Sequence, residues 1–177
     1  MKTTKKLLGT MLLASTFLVG CTTQNEKIKM STYIHDDVLE IQSENGDNVS
    51  LPYKETMTIE SDEAGFVTKG TDDIVYQMTD KYLEENPKEK DVLLKNLKSG
   101  VEATYIDTNP EAIKIKTEIK GEDKTELHVN VSVDFKSMKD KNAVVLFGLT
   151  DKDFNEEGKA TLTKVEEYME SSGFIKK

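Results

Sequence analysis

The stretch 113-IKIKTEIKGEDKTELHVNVSVDF-135 decides the fold of this chain. Apolar and polar residues alternate from Ile113 to Lys120, and the alternation resumes from Glu126 to Phe135. The intervening residues 121–125, GEDKT, are typical of a turn. Because successive residues of a strand point to opposite faces of a sheet, this pattern predicts an antiparallel hairpin with one buried face and one solvated face.

Residues that favour strands are also concentrated near the N-terminus, in segments 28–35, 38–41 and 49–59. Asp36-Asp37 separates the first two segments, and the Asn45-Gly46 pair before the third favours a hairpin turn. Pro52 has no backbone N–H to donate, so it predicts an edge position or a bulge. These segments predict two or three further strands.

Two helices are predicted between these strands and the hairpin. The first begins at Thr71, a favourable N-cap followed by two acids, and the second begins at Asn86-Pro87 and ends at Gly100. Residues 101–108 are expected to form a strand that leads into an Asn109-Pro110 turn. The apolar positions of the two helices are Ile74, Met78 and Tyr82 in the first and Leu93, Leu94 and Leu97 in the second.

A final helix is predicted near the C-terminus. Leu162, Val165, Tyr168 and Met169 form its apolar side, and Gly173 is expected to end it. The order of strands, helices, strands and a helix predicts an α+β fold, a two-layer sandwich with helices packed on one face of an antiparallel sheet. The length of the chain suits one domain over residues 31–177.

The first residues predict export and lipidation. A cationic segment, MKTTKK, precedes an apolar run that is too short to span a bilayer, as in a signal peptide covering residues 1–20. The run ends in Leu18-Val19-Gly20-Cys21, which matches the lipobox of bacterial lipoproteins. We expect cleavage between Gly20 and Cys21, a diacylglyceryl group with palmitate-like chains on the Cys21 thiol, and a tether over residues 21–30. A secretory signal with an incidental cysteine is the alternative.

The composition excludes some partners. The chain has a formal charge of −9, and removing residues 1–20 removes three lysines and no acid, which leaves −12. A body of that charge is repelled by nucleic acid, so nucleic acid is not an expected partner. Cys21 is the only cysteine, so the chain can form no internal disulfide and has no cysteine-rich metal site.

Three parts of the sequence form a recognisable set: Asp37-Val38 with Thr56–Ile59, Gly100–Tyr105 with the hairpin through Phe135, and Gly158–Thr161 with Tyr168–Phe174. Together they resemble one family, the YehR-like small bacterial lipoproteins, whose function is unknown. The resemblance covers most of the chain after Cys21, and none of its motifs is a reactive signature. It implies a two-layer α/β sandwich on a lipid anchor and brings no catalytic residues. The chain departs from the family in its extra acidic turns and in a longer helical region.

Candidate chemical groups are few. His35 adjoins Asp36-Asp37, which could form an exposed cation site, and His128 lies on the polar side of the hairpin; solvated histidines are the simpler interpretation. The sequence from Asp151 to Asn155 begins like a calcium loop, but Glu156 and Leu162 replace the required glycine and glutamate. We therefore expect a solvated turn there, and we expect no metal site, cofactor or catalytic residue.

These observations predict a lipid-anchored, non-enzymatic module on the outer side of the cell membrane. Its expected partners are the membrane, through the lipid on Cys21, and an unidentified protein, envelope polymer or small ligand. One alternative is an envelope hydrolase that uses two carboxylates. Another is that the released signal peptide, around residues 14–20, is the precursor of a peptide pheromone.

Overall fold

A computed structural model describes residues 27–42, 46, 48–86, 90–105, 111–138 and 147–177. The predicted signal peptide, Gly20, Cys21, most of the tether, and the Asn109-Pro110 turn lie outside these residues. Within the described residues, no helix is both long and apolar enough to cross a membrane.

A six-stranded antiparallel sheet dominates the structure, with strand order β4-β5-β3-β2-β1-β6. The strands β1 and β6, from the two ends of the described chain, are neighbours in this sheet. The strands are β1 (Lys29–Gln42), β2 (Asn48–Ser61), β3 (Val67–Gln77), β4 (Ile113–Lys120), β5 (Glu126–Asp134) and β6 (Ile175–Lys176). The helices are α1 (Asp80–Glu85), α2 (Lys90–Tyr105) and α3 (Leu162–Ser171), and short 3₁₀ turns cover Glu122–Lys124 and Asp151–Asp153.

The predicted hairpin is confirmed. Strands β4 and β5 pair antiparallel from Ile113 opposite Val133 to Lys120 opposite Glu126. The apolar residues of β5 are buried, whereas Lys114, Lys116 and the other charged residues of β4 are exposed. The alternation therefore marks which side of the sheet carries the core.

The register divides the sheet into two faces. The apolar face carries Tyr33 of β1, Met57 of β2 and Val131 of β5, all of which are buried. The opposite face carries Thr32, Thr58 and the charged residues of β4, and its side chains are partly or fully exposed. We call the second surface the open face.

The prediction of a two-layer sandwich with a helical layer is wrong. The described part of the chain is mostly sheet, its three helices are short, and the most extensive contacts join one strand to the next. Helix α2 contacts β4 and, less extensively, β5. The helical layer was overestimated because residues 71–77, predicted to be helical, extend the sheet instead.

Strand β3 replaces the first predicted helix. Thr71 is not an N-cap, because it pairs with Thr58 of β2 on one side and with Ser132 of β5 on the other. Helix α1 begins later, where the Thr79 hydroxyl accepts a hydrogen bond from the Tyr82 N–H at 3.3 Å. The apolar spacing is ambiguous, since Ile74 and Met78 are four positions apart, and this even spacing also suits one face of a strand.

Helix α2 extends beyond its predicted end. Leu93 and Leu94 are buried as expected, but Gly100 lies inside the helix, which continues to Tyr105. The strand predicted from residue 101 is therefore wrong in its described part. Lys98 and Thr117 both bond Glu102, which connects this last turn of the helix to β4.

The N-terminal strands are longer than predicted. β1 continues through Asp36-Asp37 without a break and pairs with β2 along its whole length. Pro52 stands opposite Val38, and the pairing of β2 with β3 begins only at Tyr53. The missing N–H of Pro52 therefore costs no bond to β3, which confirms the predicted edge position.

The C-terminal helix is confirmed. Val165 and Met169 of α3 are fully buried. Gly173 follows the helix with φ +84°, and the Phe174 N–H donates to the Met169 carbonyl at 2.9 Å. This is the hydrogen bond of a Schellman motif, in which glycine supplies the left-handed residue.

Candidate functional site: a buried carboxyl cluster

Three titratable side chains meet in the middle of the apolar face. His35 of β1 lies opposite Glu55 of β2, and Asp72 of β3 lies opposite Met57, so that Asp72 and Glu55 are diagonal neighbours. The sheet register places all three on the same side as the core. We call His35, Glu55 and Asp72 the carboxyl cluster.

Asp72 is the most unusual residue of the cluster. It is 0% exposed, and neither of its carboxyl oxygens has a hydrogen-bond partner among the described residues. Burial raises the pKa of Asp72 to about 8, together with the charge of Glu55, a side-chain interaction with Glu55 and a smaller contribution from Asp73. Asp72 therefore holds its proton at neutral pH, because a charged carboxylate would be costly in this position.

Burial raises the pKa of Glu55 above its usual value, while interactions with the Asp72 side chain and with His35 act in the opposite direction. The His35 Nδ1 atom is 3.9 Å from the Glu55 Oε2 atom, a loose ion pair when the histidine is protonated. Asp72 and Glu55 lie close enough for each carboxyl to affect the pKa of the other.

Aromatic rings surround the carboxyl cluster. The centroid of the His35 ring lies 4.9 Å from that of Phe174 and 6.0 Å from that of Tyr53. The Tyr53 and Tyr76 rings are 5.5 Å apart. Burial and the charges of Glu55, Asp37 and Asp72 raise the pKa of Tyr53.

Solvent exposure decreases along the apolar face from Asp37 to Asp72. Asp37, two residues after His35 on the same side of β1, is exposed, and Tyr53 opposite it is half-buried. The side chains of His35 and Glu55 are 20% and 14% exposed, and Asp72 is fully buried. Solvent therefore approaches the cluster from the Asp37 side, with Asp72 innermost.

A second polar contact joins the same face to the C-terminal elements. The Tyr33 hydroxyl donates to Glu166 of α3 at 3.0 Å, and Lys176 of β6 bonds the same carboxylate at 2.5 Å. The Lys176 hydrogen bond lowers the pKa of Glu166, with the Tyr33 bond adding to the effect. These bonds hold α3 and β6 beside β1.

The arrangement suits recognition of a cationic group. Carboxyl groups and aromatic faces both attract ammonium and guanidinium ions, most strongly where water is excluded. No group of three or more histidine, cysteine or acidic side chains in the described chain has the geometry of a metal site. A carboxyl that keeps its proton at neutral pH, placed beside a second carboxyl, is also a general-acid arrangement.

The residues singled out in the sequence lie in different places. His35 joins the carboxyl cluster and its side chain is only 20% exposed, so the interpretation of His35 as a solvated histidine is wrong. His128 lies on the open face as predicted, with its Nε2 atom 2.7 Å from Glu126. Gly20 and Cys21, the predicted cleavage and lipidation residues, lie outside the described residues.

The calcium-like segment forms a self-bonded turn. Asp153 accepts hydrogen bonds from the backbone N–H and the hydroxyl of Thr150, at 2.8 and 2.7 Å. Asn155 accepts from the N–H groups of Glu157 and Lys159. These oxygens serve the turn itself, as the simpler interpretation of the sequence predicted.

Sequence reasoning missed Glu55 and Asp72. A signal for Glu55 existed, because it occupies an otherwise apolar row of alternate residues, Leu51, Tyr53, Met57 and Ile59. No comparable signal marked Asp72, which was assigned to the first turn of a helix. Its burial follows from the pairing of β3 between β2 and β5.

Comparisons with known proteins identify the fold and no more. No family model and no curated protein matches the chain. An NMR structure of a Streptococcus pneumoniae protein is similar at a TM-score of 0.50 and 18% identity, covering 100% of this chain and 98% of the other. An NMR structure of the Escherichia coli YehR protein is similar at 0.53 and 14% identity, covering 86% of this chain and 92% of the other. The chain therefore has a YehR-like fold, which accords with the resemblance noted in the sequence.

Proposed function

We propose that the protein is a bacterial lipoprotein, anchored outside the cytoplasm by a diacylglyceryl group on Cys21, and that its domain binds a ligand without transforming it. The lipobox at Leu18-Val19-Gly20-Cys21 supports the anchor. Partners of the anchored form would be a protein, an envelope polymer or a small ligand.

Intact-mass analysis of the protein from its own membranes tests the anchor. We expect a chain that begins at Cys21 and carries the added mass of diacylglycerol. A Cys21→Ala variant should be unmodified and released from the membrane. Native protein that retains Met1, or that has a free thiol at Cys21, would refute the proposal.

The ligand site we propose is the carboxyl cluster, and its ligand carries a cationic group. The observation that carries this proposal is the fully buried carboxyl of Asp72, which has no hydrogen-bond partner in the part of the chain that the structure describes. A bound ammonium group would supply the missing partner, and the rings of His35, Tyr53 and Phe174 would contact its alkyl part. Leaving a buried carboxyl unpaired costs free energy that such a ligand would recover.

NMR titration with lysinamide and with tetramethylammonium tests this site. We expect shifts of the His35 and Tyr53 ring signals that saturate. Because a cation prefers an ionised carboxylate, affinity should rise as the pH increases through the pKa of Asp72, from about 6 to about 9. Asp72→Asn should abolish this pH dependence, whereas Asp73→Asn, the adjacent exposed residue, should keep it.

A result in which neither probe shifts these rings, or in which both variants behave alike, would exclude a cation site at the cluster. The anchor and the ligand site are therefore tested separately. A negative titration would leave the lipid on Cys21 in place.

A hydrolase that uses Asp72 and Glu55 is the second candidate. It is favoured by the raised pKa of Asp72, which keeps a proton available at neutral pH beside the carboxyl of Glu55. Glycoside hydrolysis needs two carboxyls about 5–10 Å apart on either side of a scissile bond. We would measure turnover of purified cell-wall glycan fragments, which Asp72→Asn should abolish and Asp73→Asn should retain. Absence of turnover by the unmodified protein would remove this candidate.

A further inference from the structure

An apolar stripe runs along the edge of the open face nearest the predicted anchor. Ile28 precedes β1 and is 57% exposed, Met30 is 67% exposed, and Ile175 of β6 is 66% exposed. Ile175 stands directly opposite Ile34 in the register, so its side chain points to the same face as Met30 and Ile34. We call Ile28, Met30, Ile34 and Ile175 the edge stripe.

Positive charge lies within and beside the edge stripe. The Lys177 N–H donates to the Thr32 carbonyl at 2.9 Å, which places Lys177 opposite Thr32, between Met30 and Ile34 on the same face. Lys27 and Lys29 adjoin Ile28, and all three lysines are exposed. The acid that stands opposite Met30, Glu60, is 3.7 Å from Lys69, so its charge is partly balanced at this edge of a chain whose formal charge is −9.

The covalent chain brings the edge stripe close to the bilayer. Only six residues separate Cys21 from Ile28, and a fully extended chain spans at most about 3.6 Å per residue. Ile28, the first residue of the stripe, therefore stays within roughly 25 Å of the lipid, even at full extension. The opposite edge of the open face, at β4, carries Lys114 and Lys116 without exposed apolar residues beside them.

We propose that the edge stripe docks on the surface of a membrane that contains anionic lipid, with Ile28, Met30 and Ile175 entering the interface and Lys177 contacting headgroups. Apolar side chains flanked by lysines are the usual chemistry of interfacial binding. Docking would fix the orientation of the domain, with the carboxyl cluster on the opposite face of the sheet turned away from the lipid. The inference rests on the proposed anchor at Cys21.

The absence of tryptophan from the chain makes this orientation measurable. A chain of residues 21–177 contains every described contact. Because Cys21 is its only cysteine, this shortened chain can be coupled specifically through Cys21 to a maleimide lipid. Met30→Trp reports on the edge stripe. Lys116→Trp is the matched control on the same face at the opposite edge. Vesicles of phosphatidylcholine and phosphatidylglycerol with brominated acyl chains quench tryptophan that enters the interface.

We expect brominated lipid to quench Met30→Trp several-fold more than Lys116→Trp. Adding Lys177→Glu and Ile175→Ser to Met30→Trp should reduce the quenching towards the control. Equal quenching of the two reporters would overturn the proposal. A blue shift of Met30→Trp that depends on protein concentration in the absence of lipid would also overturn it, since the stripe would then join two copies of the chain.

Because the lipid in this experiment is attached chemically, its outcome does not depend on native processing of Cys21. Failure of docking is thus distinguishable from failure of the anchor, which intact-mass analysis tests, and from failure of the cation site, which the NMR titration tests.

Discussion

At the scale of single residues, two glycines differ in the space around their Cα atoms. A Cβ atom on Gly70 would lie 2.5 Å from the ring of Phe147, which is fully buried. A Cβ atom on Gly100 would meet nothing within 4 Å. Gly70 thus allows the aromatic ring to lie against the sheet, whereas Gly100 has no packing role in helix α2.

We predict opposite effects of alanine at these two positions. Gly70→Ala should lower the free energy of unfolding by about 1–3 kcal/mol, because Phe147 cannot keep its place. Gly100→Ala should raise it by about 0.5–1 kcal/mol, because glycine is unfavourable inside a helix. Urea denaturation measures both. If Gly100→Ala were destabilising, Gly100 would end its helix after all, as the sequence alone suggested.

The carboxyl of Asp72 predicts a pH dependence of stability. Its pKa is about 8 in the folded chain, against 3.8 for an exposed aspartic acid, so the folded state binds more protons than the unfolded state between these values. The contribution of Asp72 to the free energy of unfolding is therefore most favourable at low pH and decreases as the pH rises through this window. Asp72→Asn should be more stable than the unmodified chain by at least about 2 kcal/mol at pH 9, and the difference should shrink towards pH 5.

Urea denaturation at several pH values would measure this difference. Asp73→Asn is the matched control, since Asp73 is exposed on the open face and bonds Asn130. A pH-independent difference between Asp72→Asn and the unmodified chain would contradict a raised pKa for Asp72.

At the scale of the elements, the C-terminal turn connects α3 to the sheet edge. Gly173 has φ +84°, and the chain then places Phe174 against His35 and Ile175 beside Ile34. The turn therefore positions both the ring that covers the carboxyl cluster and the last residues of the edge stripe.

We predict that Gly173→Ala lowers the free energy of unfolding by about 1 kcal/mol, because a residue with a Cβ atom is strained in the left-handed region. The nearest atoms to an added Cβ are those of the His35 ring, at 3.7 Å, so the effect comes from the backbone and not from a clash. The NMR signals of His35 should shift in the same variant. Unchanged His35 signals would show that the turn does not hold Phe174 in place.

The pairing of β3 with β5 could not be predicted from local sequence patterns. Both strands have recognisable residues, but α1, α2 and β4 lie between them in the sequence. Alternation revealed β5, because every second residue is apolar. It did not reveal β3, where Gly70 and Asp72 interrupt the apolar row. The misassigned helix over residues 71–77 follows from that interruption.

At the scale of the whole molecule, the strand order predicts which backbone amides are protected from hydrogen exchange. β5, β3 and β2 each have a neighbouring strand on both sides, whereas β4 is an edge strand and β6 has only two residues. Hydrogen exchange should be slowest for the amides of β2, β3 and β5 and fastest for β6 and the outward-facing amides of β4. Slow exchange throughout β6, measured by NMR, would contradict this order.

The sequence by itself determined the hairpin of β4 and β5, the C-terminal helix with its glycine stop, and the presence of N-terminal strands. Each of these depends on local periodicity or on the backbone freedom of one residue, and such properties are encoded in neighbouring residues. The tertiary structure alone decided that β3 is a strand, that Glu55 and Asp72 meet, and that the edge stripe combines residues from both ends of the chain. A register between distant strands sets which side chains share a face, and no local pattern specifies that register.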